Sequence, residues 1–364
     1  MSRLSDLLWG RLTQTCAVPR DSLRILRPVV CVFLLLAAAP NFGWLDSTPR
    51  GLFDPPRLGI ANVVGMPPSP FFAALDGSIV LAIVGVMFGV AQRTLTWALV
   101  AANIVGISFA YTFGKIDHTQ VFLLVVLASM AYCDWGESLQ EEATAQRRCD
   151  VALAVAGGSL AFGFATAAVP KLLSWVDLNL GTSGILSWYF PGRVELWRTG
   201  LLTGATSHIP VALLELLDVV APLFELAAVA AVLWSRRAWL GYLVAASFFH
   251  LANVLLLEIP FVPQAFLYVV FVDLTRHRVM LRRVRVAMVG IGLAAALWHL
   301  VGRATGTSSA TAFVADAIDQ LHAVQLTAIV VAPVISLLAL LELNSLRRIE
   351  AERPATDGQL GPST

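Results

Sequence analysis

Ten apolar stretches, at 28–45, 72–91, 95–113, 119–133, 151–173, 208–234, 238–257, 259–273, 284–303 and 321–342, leave this chain few ways to fold. Most reach the roughly 20 residues that carry a helix across a hydrocarbon core of about 30 Å. The stretches at 119–133 and 259–273 are short and read either as tilted crossings or as re-entrant segments. Only helices and closed barrels satisfy their own backbone in lipid. The fold class expected is therefore all-α, a polytopic transmembrane helical bundle with about 8–10 spanning helices. Charged residues make up 13% of the 364-residue chain, about half the share of a soluble domain. A net charge of +1 supplies no field to draw in nucleic acid, so the first partner is the lipid bilayer.

Orientation follows from the basic residues, which favour the cytoplasmic side. With an inside N-terminus and ten crossings, the inner segments hold 18 of the 25 lysines and arginines. The run Arg276, Arg278, Arg282, Arg283 and Arg285 is the strongest anchor. The expected protein is multi-pass in the plasma membrane, with both termini cytoplasmic. Residues 1–27 hold Leu4, Leu8 and Leu12 on one helical face with Leu7 beside it. That pattern suits a helix lying in the inner interface or one packed on the bundle. Residues 351–364 read as a disordered cytoplasmic tail. Cys16, Cys31, Cys133 and Cys149 fall in inner segments or within helices, which implies no disulfide framework. No metal-ligand spacing occurs, so no metal site is expected.

Charged groups inside a membrane are costly and mark functional candidates. Glu215, Asp218 and Glu225 share one apolar stretch. At about 3.6 residues per turn they form one stripe that must face the bundle interior. Asp218 is expected to hold a basic partner or bind water. In the next stretch Ser247, His250 and Asn253 recur every three residues on one face. Glu258 follows at the outer end, before Pro260. The only two lysines, Lys115 and Lys171, lie at predicted outer helix ends. Lysine, unlike arginine, can lose its proton near neutral pH. Asp117 and His118 sit beside Lys115. The outer loop 174–207 carries Trp175, Trp188 and Trp197, as headgroup anchors or as a roof over a site.

Four segments taken together resemble the vitamin K-dependent gamma-carboxylase family and the bacterial HTTM-domain proteins related to it. FGFATAAVPKLLSW (162–175) resembles the family's small-residue helix ending in Lys-Leu and a tryptophan. ELLDVVAPLFEL (215–226) is similar to its acid-bearing helix. SFFHLANVLLLEIPFVPQAFLYVVF (247–271) resembles its aromatic-His-x-x-Asn helix, outer turn and short apolar helix. KIDHTQVFLLVVLASMAYCDW (115–135) resembles its Asn-His segment, with Asp117 in place of the Asn. Order and spacing agree over roughly 24–285.

The resemblance implies a carboxylase-like transmembrane module over 28–285, followed by two additional transmembrane helices over 286–350. It implies a reduced quinone cofactor, menaquinol or a vitamin K-like quinol. Lys171 would be the base, with His118 and His250 as further catalytic residues. Asp117, Asp218, Asn253, Glu258 and Trp175 would bind substrate or cofactor, at the extracytoplasmic face. The readings that compete are a helper in maturation or export of a small secreted peptide, and a proton- or cation-coupled transporter using the three acids and His250.

Overall fold

A computed structural model describes residues 2–37, 42–57, 59–113, 118–138, 140–177, 179–195, 202–257, 259, 261–305 and 320–351. Twelve of its helices organise the molecule: α1 (Ser2–Cys16), α2 (Arg20–Ala37), α3 (Phe71–Phe88), α4 (Gln92–Ala110), α5 (His118–Tyr132), α6 (Glu142–Ser174), α7 (Gly184–Glu195), α8 (Val211–Trp234), α9 (Arg236–Leu257), α10 (Val262–Leu267), α11 (Arg278–Thr305) and α12 (Gln320–Ala351). No strand occurs among the described residues. Six segments are long and apolar enough to cross a membrane: Phe71–Phe88, Gln92–Ala110, Glu142–Ser174, Val211–Trp234, Arg236–Leu257 and Thr327–Arg347. Two shorter apolar helices, Gln120–Tyr132 and Val286–Val301, accompany them. The protein is thus an all-α polytopic membrane protein.

The stretch at 259–273 does not form a spanning helix. It makes α10, six residues long, and then a short 3-10 turn over Tyr268–Phe271. Tyr268, Val270 and Phe271 are fully buried. Irregular backbone of this kind is tolerated at membrane depth only where protein surrounds it. The segment threads the bundle beside α12, α5 and α9. It starts beside Asn253 and His250 near the far end of α9 and closes against Arg236 and Trp239 at the opposite end, so it crosses the bundle as a broken span and does not re-enter.

One end of the bundle is stitched together by arginines. Arg20 pairs with Glu142 at 2.9 Å, and Arg27 with Glu137 at 3.3 Å. Arg24 donates to the Gly136 carbonyl. Arg236 pairs with Glu342 at 2.7 Å and donates to the carbonyls of Thr15 and Phe271. Ser22 donates to the Val272 carbonyl and accepts from Leu274 N–H. These bonds gather the ends of α2, α6, α9 and α12 and the close of the threaded segment. Arg237 donates to the Leu346 carbonyl and Arg148 lies over the Tyr132 ring at this end as well; the side chains of 276–285 lie outside the described residues.

At the same end Asp134, Trp135 and Gly136 have φ of 52°, 51° and 78°. Such left-handed runs persist only where neighbours over-determine them. Trp135 Nε1 donates to Thr96 Oγ1 at 3.0 Å, and Gln92 Nε2 donates to Asp134 Oδ1 at 3.1 Å. A Cβ at Gly136 would stand 2.4 Å from the Arg20 carbonyl oxygen, so both its φ and its neighbours require glycine.

Helix α1 lays its Leu12 and Cys16 side against Gly158 and Gly157 of α6. Leu4, Leu7, Leu8 and Trp9 remain exposed. All four cysteines are buried, and burial pushes the Cys16 thiol up to about 12. Residues 352–364 lie outside the described residues.

Candidate functional site

Helices α5, α6, α8, α9 and α10 enclose a cavity of about 1380 Å³. Its lining is chiefly aliphatic and aromatic, with a few polar groups converging on it: Lys171, Glu225, His250, Asn253 and Gln264. Pockets of drug-sized ligands run to about 1,000 Å³, so this one has room for a ring and a long tail. Several of its lining residues, Val121, Phe162, Leu217 and Val220, are also exposed on the flanks of the helices. The cavity therefore communicates sideways with the space the hydrocarbon fills.

Lys171 sits in the last turn of α6, one residue after Pro170. Its ammonium forms an ion pair with Glu225 of α8. The Glu225 side chain is 4% exposed and that of Lys171 24%. Among the described residues this is the one ion pair that touches the cavity. The amine also lies 5.4 Å from the centre of the Trp175 ring, a cation–π distance. A lone ammonium would be expensive in such surroundings; the buried carboxylate and the ring offset that cost.

His250 stands farther along the wall, on α9. Its Nε2 and the Tyr268 hydroxyl share a hydrogen bond of 2.6 Å. Phe164 lies nearly parallel to its ring at 5.7 Å, and Phe261 approaches to 4.6 Å. Gln264, one turn before Tyr268, lines the same cavity. The imidazole is thus fixed in orientation by a buried hydroxyl and framed by flat rings. Asn253 lines the same cavity, on the face of α9 that also presents His250.

Asp218 has a different job. It is fully buried, and the partners seen for its carboxylate among the described residues are a hydroxyl and two backbone amides. Its Oδ2 accepts from the Ser183 hydroxyl and from Gly184 N–H, each at 2.7 Å. Its Oδ1 accepts from Ile185 N–H at 2.9 Å. The carboxylate therefore holds the positive end of α7, where free N–H groups and the helix dipole favour an anion. Ile185 and Trp188 of α7 line the cavity together with Trp175. Trp175 and the described part of α7 therefore roof the cavity, in line with the second of the segment's two readings from sequence; Trp197 lies outside the described residues. Gly184 fits closely over Trp175: a Cβ there would lie 2.2 Å from Cγ of the ring.

Of the residues singled out from sequence, Lys171, His250, Asn253 and Trp175 share the cavity. Asp218 supports its roof. His118 opens α5, but its side chain, like Asp117 and Glu258, lies outside the described residues. Glu215, Asp218 and Glu225 are all buried, as one inward stripe requires. His299 is bonded to the Leu35 carbonyl at 2.8 Å and belongs to packing. Tyr268 and Gln264 join the site without warning from the sequence, although their i, i+4 spacing puts them on one face.

A multi-pass bundle of apolar helices around a cavity defines the class: an integral membrane protein with a cavity among its helices. No family model, no curated protein and no solved structure matches the chain.

Proposed function

We propose that this protein is a membrane enzyme that binds a lipid-soluble hydroquinone in the lateral cavity and removes a proton from it through Lys171. The observation that carries the reading is the meeting of a paired lysine and a hydrogen-bonded histidine on the wall of a large apolar cavity open to the side. A ligand dissolved in lipid enters such a site without crossing water. Flat aromatic rings around His250 suit a flat ring head, and the lysine and histidine suit its hydroxyls.

The ion pair supplies the acid–base group. Filling the cavity expels water and raises the cost of two separate charges. Passing one proton from the Lys171 ammonium to the Glu225 carboxylate leaves two neutral groups, with a free lone pair on the amine. That lone pair takes the hydroxyl proton of the ligand. The products are an ammonium, a protonated Glu225 and a hydroquinone anion, the electron-rich form that an oxidant such as dioxygen attacks. His250, held by Tyr268, orients the second hydroxyl. The resemblance to the carboxylase and HTTM family supports the same cofactor class. The clustering of basic residues at the stitched end supports cytoplasmic termini and a roof that faces outward. The transporter reading needs the acids of α8 as a shared path, whereas Asp218 serves the roof and Glu225 serves Lys171.

The test is aerobic oxidation of a naphthoquinol by the protein in lipid nanodiscs. Lys171→Ala should slow it by about a hundredfold or more, the scale of a lost general base. Lys171→Arg should be equally slow, because a guanidinium keeps its proton. Wild-type rates in both variants would remove the proposed chemistry.

A further inference from the structure

The cavity extends well beyond the polar groups, along α6 towards the stitched end. Gly163, Ala167 and Lys171 are spaced four apart and share one face of the helix, and all three line the cavity. Eight residues separate the first from the last, a drop of roughly 12 Å at about 1.5 Å per residue. Val121 and Val125 of α5 line the same space.

Glycine is a poor helix former, so one in the middle of a spanning helix asks for a reason. At Gly157 the reason is packing, since a Cβ there would strike the Cys16 sulfur at 2.4 Å. At Gly163 packing gives none: an added Cβ would meet nothing within 4 Å. The missing side chain leaves open space at a position where the helix lines the cavity.

We infer that Gly163 determines how long a lipid tail the site accepts. With the ring head at Lys171 and His250, the tail runs down α6 past Ala167 and crosses Gly163 before it reaches the bilayer. The inference rests on the hydroquinone reading and adds the class of ligand, one with a long apolar tail. A side chain at 163 fills the groove about 12 Å along α6 from Lys171.

The test compares wild type, Gly163→Ala and Gly163→Leu in nanodiscs, reading the quenching of tryptophan fluorescence by two probes. One is a methyl-naphthoquinone without a tail; the other carries the same head on a long polyisoprenyl tail. Trp175 and Trp188 line the cavity and report on the head of either probe. Leucine favours the helix more than glycine does, so the variant is expected to fold. Gly163→Leu should weaken the long-tailed probe by about tenfold or more, because the filled groove no longer buries the tail. It should leave the tailless probe unchanged, with Gly163→Ala between. Unchanged binding of the long-tailed probe, or an equal loss for both probes, overturns the inference and leaves the hydroquinone reading standing. A wild-type protein that binds neither probe overturns both.

Discussion

Replacing Lys171 with methionine should destabilise the protein by about 3 kcal/mol, and adding Glu225→Leu should restore most of that loss. The single change leaves a carboxylate 4% exposed with no cation beside it. Removing one partner of a buried pair typically costs about 3–5 kcal/mol, because the survivor stays desolvated and unpaired. The lower end applies here, since the lysine side chain keeps 24% exposure and part of the pair is already screened. The double variant replaces two charges with two apolar side chains of similar reach, an exchange that is often neutral or better. Denaturation of wild type, both single variants and the double variant closes a thermodynamic cycle. A large coupling term is the expected result. Additive single effects would mean that amine and carboxylate do not act as a pair.

The second large effect is expected at Asp218. Asp218→Ala strips the acceptor from one hydroxyl and two N–H groups at the start of α7. Hydrogen bonds to a charged group each contribute about 1.5–3 kcal/mol net, so a loss of about 3 kcal/mol or more is expected at the roof. The consequence is local. Residues 176–195 should become sensitive to protease while the rest of the bundle keeps its melting behaviour. Asp218→Asn, which keeps an acceptor oxygen but loses the charge, should fall between. An unchanged digestion pattern in Asp218→Ala would show that the roof is held by other interactions, Trp175 against Gly184 foremost.

The two results separate features that look alike in the sequence. Asp218 and Glu225 lie on one stripe of one helix, and helical periodicity places both inside. It does not say what stands opposite. Glu225 meets a lysine 54 residues earlier in the chain; Asp218 meets backbone amides 34 and 33 residues earlier. Backbone donors carry no residue-type signature, so a carboxylate that caps a helix reads in sequence like one awaiting a cation. The fold itself was legible wherever apolar length and helix coincide, as at 72–91 against Phe71–Phe88. It was illegible at 259–273, where burial inside the protein permits a broken backbone in place of the single helix that an apolar run suggests. Lys171 stood out because the chain uses arginine almost everywhere else. Tyr268 stayed hidden because a tyrosine in an apolar run looks like core until its hydroxyl is seen against His250.

The most direct measurement is a structure of the protein in nanodiscs with a long-tailed naphthoquinol bound. The ring should lie beneath Trp175 and Trp188, with a hydroxyl in hydrogen-bonding reach of Lys171 Nζ and the tail along Ala167 and Gly163. A quinol lodged elsewhere on the bundle, or a cavity holding only phospholipid with the Lys171–Glu225 pair untouched, would contradict the account.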